Sequence, residues 1–173
     1  TMTGSGTAAS ANVANGIAMS SNGNLALADG TGAASNYSLN STVINIAKRV
    51  LTSSGSKTYD ANTDALAADI TLGNLVSGEA LNHSGTATIS SANAGSYTIS
   101  NLTGITIADG SGGAASNYTL TGGTHNFTVN RRVVGVSGTR LYDATTNAVA
   151  SDLSTHANLV GSETLTLSGT GSV

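Results

Sequence analysis

SKTYDANTDALAAD, residues 56–69, returns as TRLYDATTNAVASD at residues 139–152, and GAASNY stands at residues 32–37 and again at 113–118. The spacings agree: Tyr59 and Tyr142 lie 83 apart, Leu75 and Leu159 lie 84 apart, Tyr37 and Tyr118 lie 81 apart, and Arg49 and Arg132 lie 83 apart. An internal period of roughly 80 residues outranks every local signal in deciding what a chain is, because each copy folds as one supersecondary unit and its neighbours repeat it. The pattern predicts a scaffold of similar modules before it predicts an active site.

The phase of the period adds to this. One complete repeat runs over residues 51–133, after the C-terminal part of a repeat (1–50) and before the N-terminal part of the next (134–173). TLTLSGTGSV at 164–173 resembles TMTGSGTAAS at 1–10, with Thr1, Thr3, Ser5, Gly6 and Thr7 matched by Thr164, Thr166, Ser168, Gly169 and Thr170, a two-repeat spacing of 163. The expectation is a window on a longer fibre.

Composition fits an extracellular stalk better than a compact enzyme. Charged residues are 9% and aromatics 3%, against a charged share of about 25% in ordinary soluble domains. Disordered chains combine few branched apolar residues with high net charge, whereas here Val, Ile and Leu recur in period-two runs and the net charge is −3. There are no cysteines, so neither a disulfide framework nor a thiolate metal site is expected. No apolar run approaches the roughly 18 residues of a membrane span. The mild acidity argues against nucleic acid, since phosphate binding needs clustered Lys and Arg.

The predicted fold class is all-β, with at most one short helix per repeat. In YTISNLTGITI, residues 97–107, Tyr97, Ile99, Ile105 and Ile107 fall on odd positions, as a half-buried strand pair requires. HNFTVNRRV puts Phe127 and Val129 on one face, with Ile44 and Ile46 at the same phase one repeat earlier. The single helical candidate is DALAAD (64–69), with Thr63 as its N-cap. ADG at Ala28 and at Ala108 marks turns, and glycine and asparagine supply positive-φ positions in a chain without proline.

The charges are stamped out once per repeat. Lys48 pairs with Arg131, Arg49 with Arg132, Lys57 with Arg140, Asp29 with Asp109, Asp60 with Asp143, Asp69 with Asp152 and Glu79 with Glu163, and only Asp64 has no charged counterpart. An enzyme gathers unique, unequal groups in one cleft so that their pKa values diverge. No catalytic residue, cofactor or dedicated metal site is therefore expected. In YDA, Asp60 and Asp143 are read as turn formers accepting backbone N–H groups one or two residues on, with Tyr59 and Tyr142 packing over the junction between repeats. The rival reading is calcium held by Asp60, Asp69, Glu79, Asp143, Asp152 or Glu163. Lys48, Arg49, Arg131 and Arg132 sit where one repeat hands over to the next. They bridge to acids of the neighbouring module, bind an anionic polysaccharide, or act as solvated edge residues that discourage sheet aggregation. His83, His125 and His156 do not recur as a set and are read as surface residues. Six N-x-S/T sequons, at Asn36, Asn40, Asn82, Asn101, Asn117 and Asn126, are no more than this composition produces.

KTYDA (57–61), LVSGE (75–79), SGT (84–86), ANAGSYTIS (92–100) and ASNYTL (115–120) follow one another in an order that resembles the YDG and MBG-type tandem repeats of filamentous-haemagglutinin-like bacterial surface adhesins, exported by two-partner secretion. The resemblance covers essentially the whole chain, with Ala61 and Ala144 where the family usually has Gly. It implies an elongated array of β-sandwich or β-grasp-like modules, outside a Gram-negative-type cell, spacing a binding region from the surface. Partners would then be neighbouring repeats, like chains laterally or polysaccharide. The other functional class is a multivalent glycan-binding array, in which weak binding per repeat gains with copy number.

Overall fold

The computed structural model describes residues 2–40 and 42–172; Thr1, one of the residues matched between the two ends, lies outside them. The strands are β1 (Met2–Thr3), β2 (Thr7–Ala8), β3 (Ala14–Ser21), β4 (Ala26–Leu27), β5 (Val43–Ile46), β6 (Arg49–Val50), β7 (Thr52–Thr58), β8 (Asp64–Leu66) and β9 (Ile70–Gly73). They continue as β10 (Leu81–Ile89), β11 (Gly95–Asn101), β12 (Ile105–Asp109), β13 (Tyr118–Thr119), β14 (His125–Asn130), β15 (Gly135–Ser137), β16 (Asn147–Val149), β17 (Thr155–Ala157) and β18 (Thr170–Ser172). The helical pieces among the described residues are 3-10 turns of three residues, at Ala34–Asn36, Ala67–Asp69, Ala115–Asn117 and Ala150–Asp152. The fold is all-β.

The main sheet orders β12-β10-β11-β14-β7-β9, with β8 also paired to β10. Since β8 and β9 are joined through the turn Ala67–Asp69, one short segment pairs with β7 at one end of this path and with β10, the strand before last, at the other, and the sheet is nearly closed and barrel-like. Closure of this kind removes free edges, which otherwise recruit other chains.

Two compact units are drawn from interleaved segments: residues 1–53, 72–83 and 106–124 make the first, and 54–71, 84–105 and 125–173 the second. These units cut across the sequence repeats. In the second unit Ala65, Ile70, Ala87, Ile89, Ile99, Ile105, Phe127 and Val129 are buried. Tyr97 pairs with Phe127 and Gly95 with Val129, while Ser96, Thr98 and Ser100 face outward, so the alternation predicted over residues 97–107 and 127–129 is present. In the first unit Ile17, Leu51 and Tyr118 are buried. There β3 pairs with β5, Ile17 opposite Ile44, and Ile44 remains 45% exposed, so the phase shared with Phe127 does not carry equal burial.

Of the single turn or short helix predicted over 64–69, a turn is present at its end and the rest is strand. Asp64, Ala65 and Leu66 pair with Thr88, Ala87 and Thr86, and only the last three residues turn, with Leu66 at the N-cap position and no side-chain cap. Thr63 therefore caps nothing. Ala65 is buried, and Lys57 Nζ donates to the Asp64 carbonyl oxygen at 2.7 Å. Tertiary pairing of this kind overrides the helix propensity of Ala and Leu.

Candidate functional site

In the first unit β6 carries Arg49 beside an Asn held in a left-handed conformation, Asn74 with φ 63°. Arg49 Nε donates to the Asn74 carbonyl oxygen at 2.6 Å and Nη2 to Asn74 Oδ1 at 2.9 Å, while Asn74 Nδ2 donates back to the Val50 carbonyl oxygen at 2.6 Å. A planar guanidinium presents two parallel donors to a planar amide, a geometry an ammonium cannot match. In the second unit the same clamp is built again: Arg132 donates to the Asn158 carbonyl oxygen at 2.8 Å and to Oδ1 at 2.8 Å, and Asn158 Nδ2 donates to the Val133 carbonyl oxygen at 2.8 Å. Asn158 has φ 71°. Of the three readings offered for these arginines, bridging to acids, binding polysaccharide or guarding a solvated edge, none named asparagine, and the turn carbonyl with its own side-chain amide fills each fork.

Next to the first clamp, β13 runs parallel to β6, Tyr118 opposite Arg49 and Thr119 opposite Val50, and Leu51 N–H donates to the Thr119 carbonyl oxygen at 2.8 Å. The Tyr118 hydroxyl donates to Glu79 Oε2 and accepts from the Val76 N–H at 3.1 Å. Asn117 Oδ1 accepts from the Val13 N–H at 2.9 Å, and its Nδ2 donates to Asn12 Oδ1 at 2.9 Å. In the second unit the Tyr59 hydroxyl donates to Glu163 Oε1, and Arg132 Nη1 reaches the Tyr59 carbonyl oxygen at 3.3 Å. Both phenols have raised pKa values, Tyr59 through its bond to Glu163 and Tyr118 through its bond to Glu79. A surface cleft of about 330 Å³ adjoins the second clamp, lined by Tyr59, Asn93, Ala94, Arg132, Asn158 and Glu163 among others.

The two YDA turns are alike. Asn62 N–H donates to Asp60 Oδ1 at 3.2 Å and Thr145 N–H to Asp143 Oδ1 at 3.0 Å. Lys57 pairs with Asp60 at 2.9 Å, and Arg140 pairs with Asp143. Burial opposes ionisation of Asp60, but the Lys57 ammonium and the Asn62 groups outweigh it and hold the carboxyl below its ordinary value. The Arg140 guanidinium, helped by Thr145, holds Asp143 down at about 2. Ala61 and Ala144, the residues after these aspartates, have φ 64° and 61°.

The six calcium candidates are not brought together. Asp60, Asp143, Glu79 and Glu163 are taken up in the contacts above, Asp152 Oδ2 accepts from the Val149 N–H at 3.1 Å, and Asp69 ends a 3-10 turn. Among the described residues no three His, Cys, Asp or Glu side chains are placed to hold a metal. Lys48 and Arg131 are exposed. Tyr142 is 92% exposed. His125, read as a surface residue, is buried on β14. Sequence reasoning missed Asn74, Asn158 and Asn117. Their signal was present in the recurrence of Asn-Leu-Val at 74–76 and 158–160 and of Ser-Asn-Tyr at 35–37 and 116–118.

Among the described residues no helix is long and apolar enough to cross a membrane. No curated protein and no solved structure matches the chain. Residues 46–126 do match a family model, that of the YDG domain. The matched segment, which is similar to a YDG domain, carries Arg49, Asn74, Glu79 and Tyr118.

Proposed function

We propose that this chain is a structural stalk segment of a secreted bacterial cell-surface adhesin, a tandem array in which similar β modules space a binding region from the cell and support adhesion or biofilm matrix. Its work is mechanical rather than catalytic. The observation that carries this reading is the duplicated clamp with its tyrosine link: Arg49–Asn74 and Arg132–Asn158 are the same contact one repeat apart, and Tyr59 of one repeat bonds Glu163 of the next. Further support comes from the recurrence of lesser features at the same spacing. Asp29 and Asp109 each accept a backbone N–H at 2.7 Å, and the pairing of Asp64, Ala65 and Leu66 reappears at Asn147, Ala148 and Val149. In such arrays stability is a sum of module terms and nearest-neighbour terms, so a bond between consecutive repeats sets stiffness as well as stability.

The test is electron microscopy and small-angle scattering of recombinant chains carrying increasing numbers of repeats. A rod whose length grows by a fixed increment per repeat is the expected result. Binding on a glycan array that climbs with repeat number would instead support the glycan-binding class, and turnover of a glycan would remove the mechanical reading altogether.

A further inference from the structure

The hexapeptide GAASNY occurs twice and ends in two different environments. Tyr118 is 2% exposed and Tyr37 is 69% exposed, yet the backbones agree: Tyr118 has φ −123°, ψ 160° and Tyr37 φ −131°, ψ 150°, each closing a 3-10 turn whose first N–H is held at 2.7 Å by an aspartate. The segment at Tyr37 is thus already shaped as the segment at Tyr118 is when docked.

The receiving surface also occurs twice. Tyr118 and its neighbours rest on Asn12, Val13, Leu51, Val76 and Glu79, beside the Arg49–Asn74 clamp. Their counterparts one repeat on are Asn93, Ala94, Val134, Val160 and Glu163, and all five line the cleft beside the Arg132–Asn158 clamp. Where β13 covers the first site, Leu51 is fully buried and Val50 is 37% exposed; at the second, their counterparts Val134 and Val133 are half-buried and 80% exposed. Tyr59 engages one oxygen of Glu163, as Tyr118 engages one oxygen of Glu79.

We propose that the cleft formed by Asn93–Ala94, Arg132–Val134, Asn158–Val160 and Glu163 is an acceptor for a Ser-Asn-Tyr-Ser segment that passes from a 3-10 turn into extended backbone, and that a second copy of this chain fills it with residues 35–38. The Asn36 amide meets Asn93 and the Ala94 N–H, the Tyr37 hydroxyl meets Glu163 and the Val160 N–H, and the Ser38 carbonyl oxygen accepts from the Val134 N–H. Strand addition supplies affinity through main-chain bonds and selectivity through side-chain pockets. Donor and acceptor are different patches, so the contact is head-to-tail and generates open chains of copies. The inference rests on the paired geometry alone.

Sedimentation velocity of the full 173-residue chain over a wide concentration range tests it, beside Tyr37→Ala, which alters the donor, and Glu163→Ala, which alters the acceptor. The unaltered chain should form a ladder of species that lengthens with concentration. Each variant alone should remain monomeric, and an equal mixture of the two should give dimers and nothing larger, since each retains one working surface. The peptide GAASNYSL guards against Glu163→Ala disturbing the fold. Added to the unaltered chain it should shift the amide resonances of Ala94, Val134 and Val160, and its Tyr37→Phe analogue should bind about tenfold more weakly, the usual effect of losing a hydrogen bond to a charged group. A chain that stays monomeric throughout overturns the proposal even if the peptide binds, because the occupant is then not a second copy. Peptide that leaves those three resonances unmoved overturns the acceptor.

Discussion

Ala61 and Ala144 hold φ of 64° and 61°, a region that costs a residue with a Cβ about 1–2 kcal/mol. They do so because the preceding Asp folds back onto the N–H two residues on, so the turn is fixed by a hydrogen bond whatever residue follows. Ala61→Gly removes the strain but gives the unfolded chain more freedom, which offsets about 0.4–1 kcal/mol. The expected net is a gain of about 0.5 kcal/mol, read as a higher midpoint in urea unfolding, with a similar gain for Ala144→Gly. The same turns carry an acid-sensitive element. Asp143 is depressed to about 2 by Arg140 and Thr145. A carboxyl with a folded pKa below its unfolded value stabilises the fold fully above about pH 4 and ceases to do so as pH falls through its folded pKa. Stability should therefore decline between about pH 4 and pH 2, and Arg140→Gln should flatten that decline, as followed by acid titration of the circular dichroism.

At the scale of elements, the strands were legible where one face is buried and the other is wet. Residues 97–101 and 125–130 alternate because Tyr97, Ile99, Phe127 and Val129 face one core while Ser96, Thr98 and Asn126 face water. DALAAD misled because its alanines suit a helix, while what holds its first half is pairing of Asp64, Ala65 and Leu66 with Thr88, Ala87 and Thr86 of β10, a distant contact that no local pattern encodes. Close approaches between strands are equally invisible to periodicity. A Cβ on Gly55 of β7 would lie 2.4 Å from the Asp69 carbonyl oxygen and 2.8 Å from the Phe127 ring. Neither neighbour has room to retreat, one being backbone and the other fully buried. Gly55→Ala should lose about 3 kcal/mol, the upper end of overpacking costs, whereas Gly135→Ala, whose added Cβ meets only the Ala157 side chain at 3.8 Å, should change little. The clamp predicts its own variant: Arg49→Lys keeps the charge but cannot serve both Asn74 oxygens, and should cost about 1 kcal/mol. Asn74→Gly keeps the left-handed turn, so its loss measures the hydrogen bonds separately from the backbone.

Across the whole molecule, the period was legible and its contacts were not. Equal spacing located Arg49, Arg132, Glu79 and Glu163 as corresponding residues, but correspondence does not say what each touches, and the partners turned out to be Asn and Tyr from other parts of the chain. Tyr59 and Tyr118 are not counterparts in the repeat, yet each bonds the glutamate of a counterpart pair. Each compact unit therefore contains one Tyr–Glu bond, and both phenols have folded pKa values raised above 10.0 by the neighbouring carboxylate. A group whose folded pKa is raised stabilises the fold fully below its unfolded value and stops doing so as pH rises through the folded one. The chain should thus lose stability progressively above about pH 10, in a direction opposite to the Asp143 effect at the acid end. Ultraviolet titration of tyrosinate should show a late component above the ordinary phenol range, and Tyr118→Phe should remove part of it. If the late component survives in both Tyr118→Phe and Tyr59→Phe, the glutamate contacts are not what withholds ionisation.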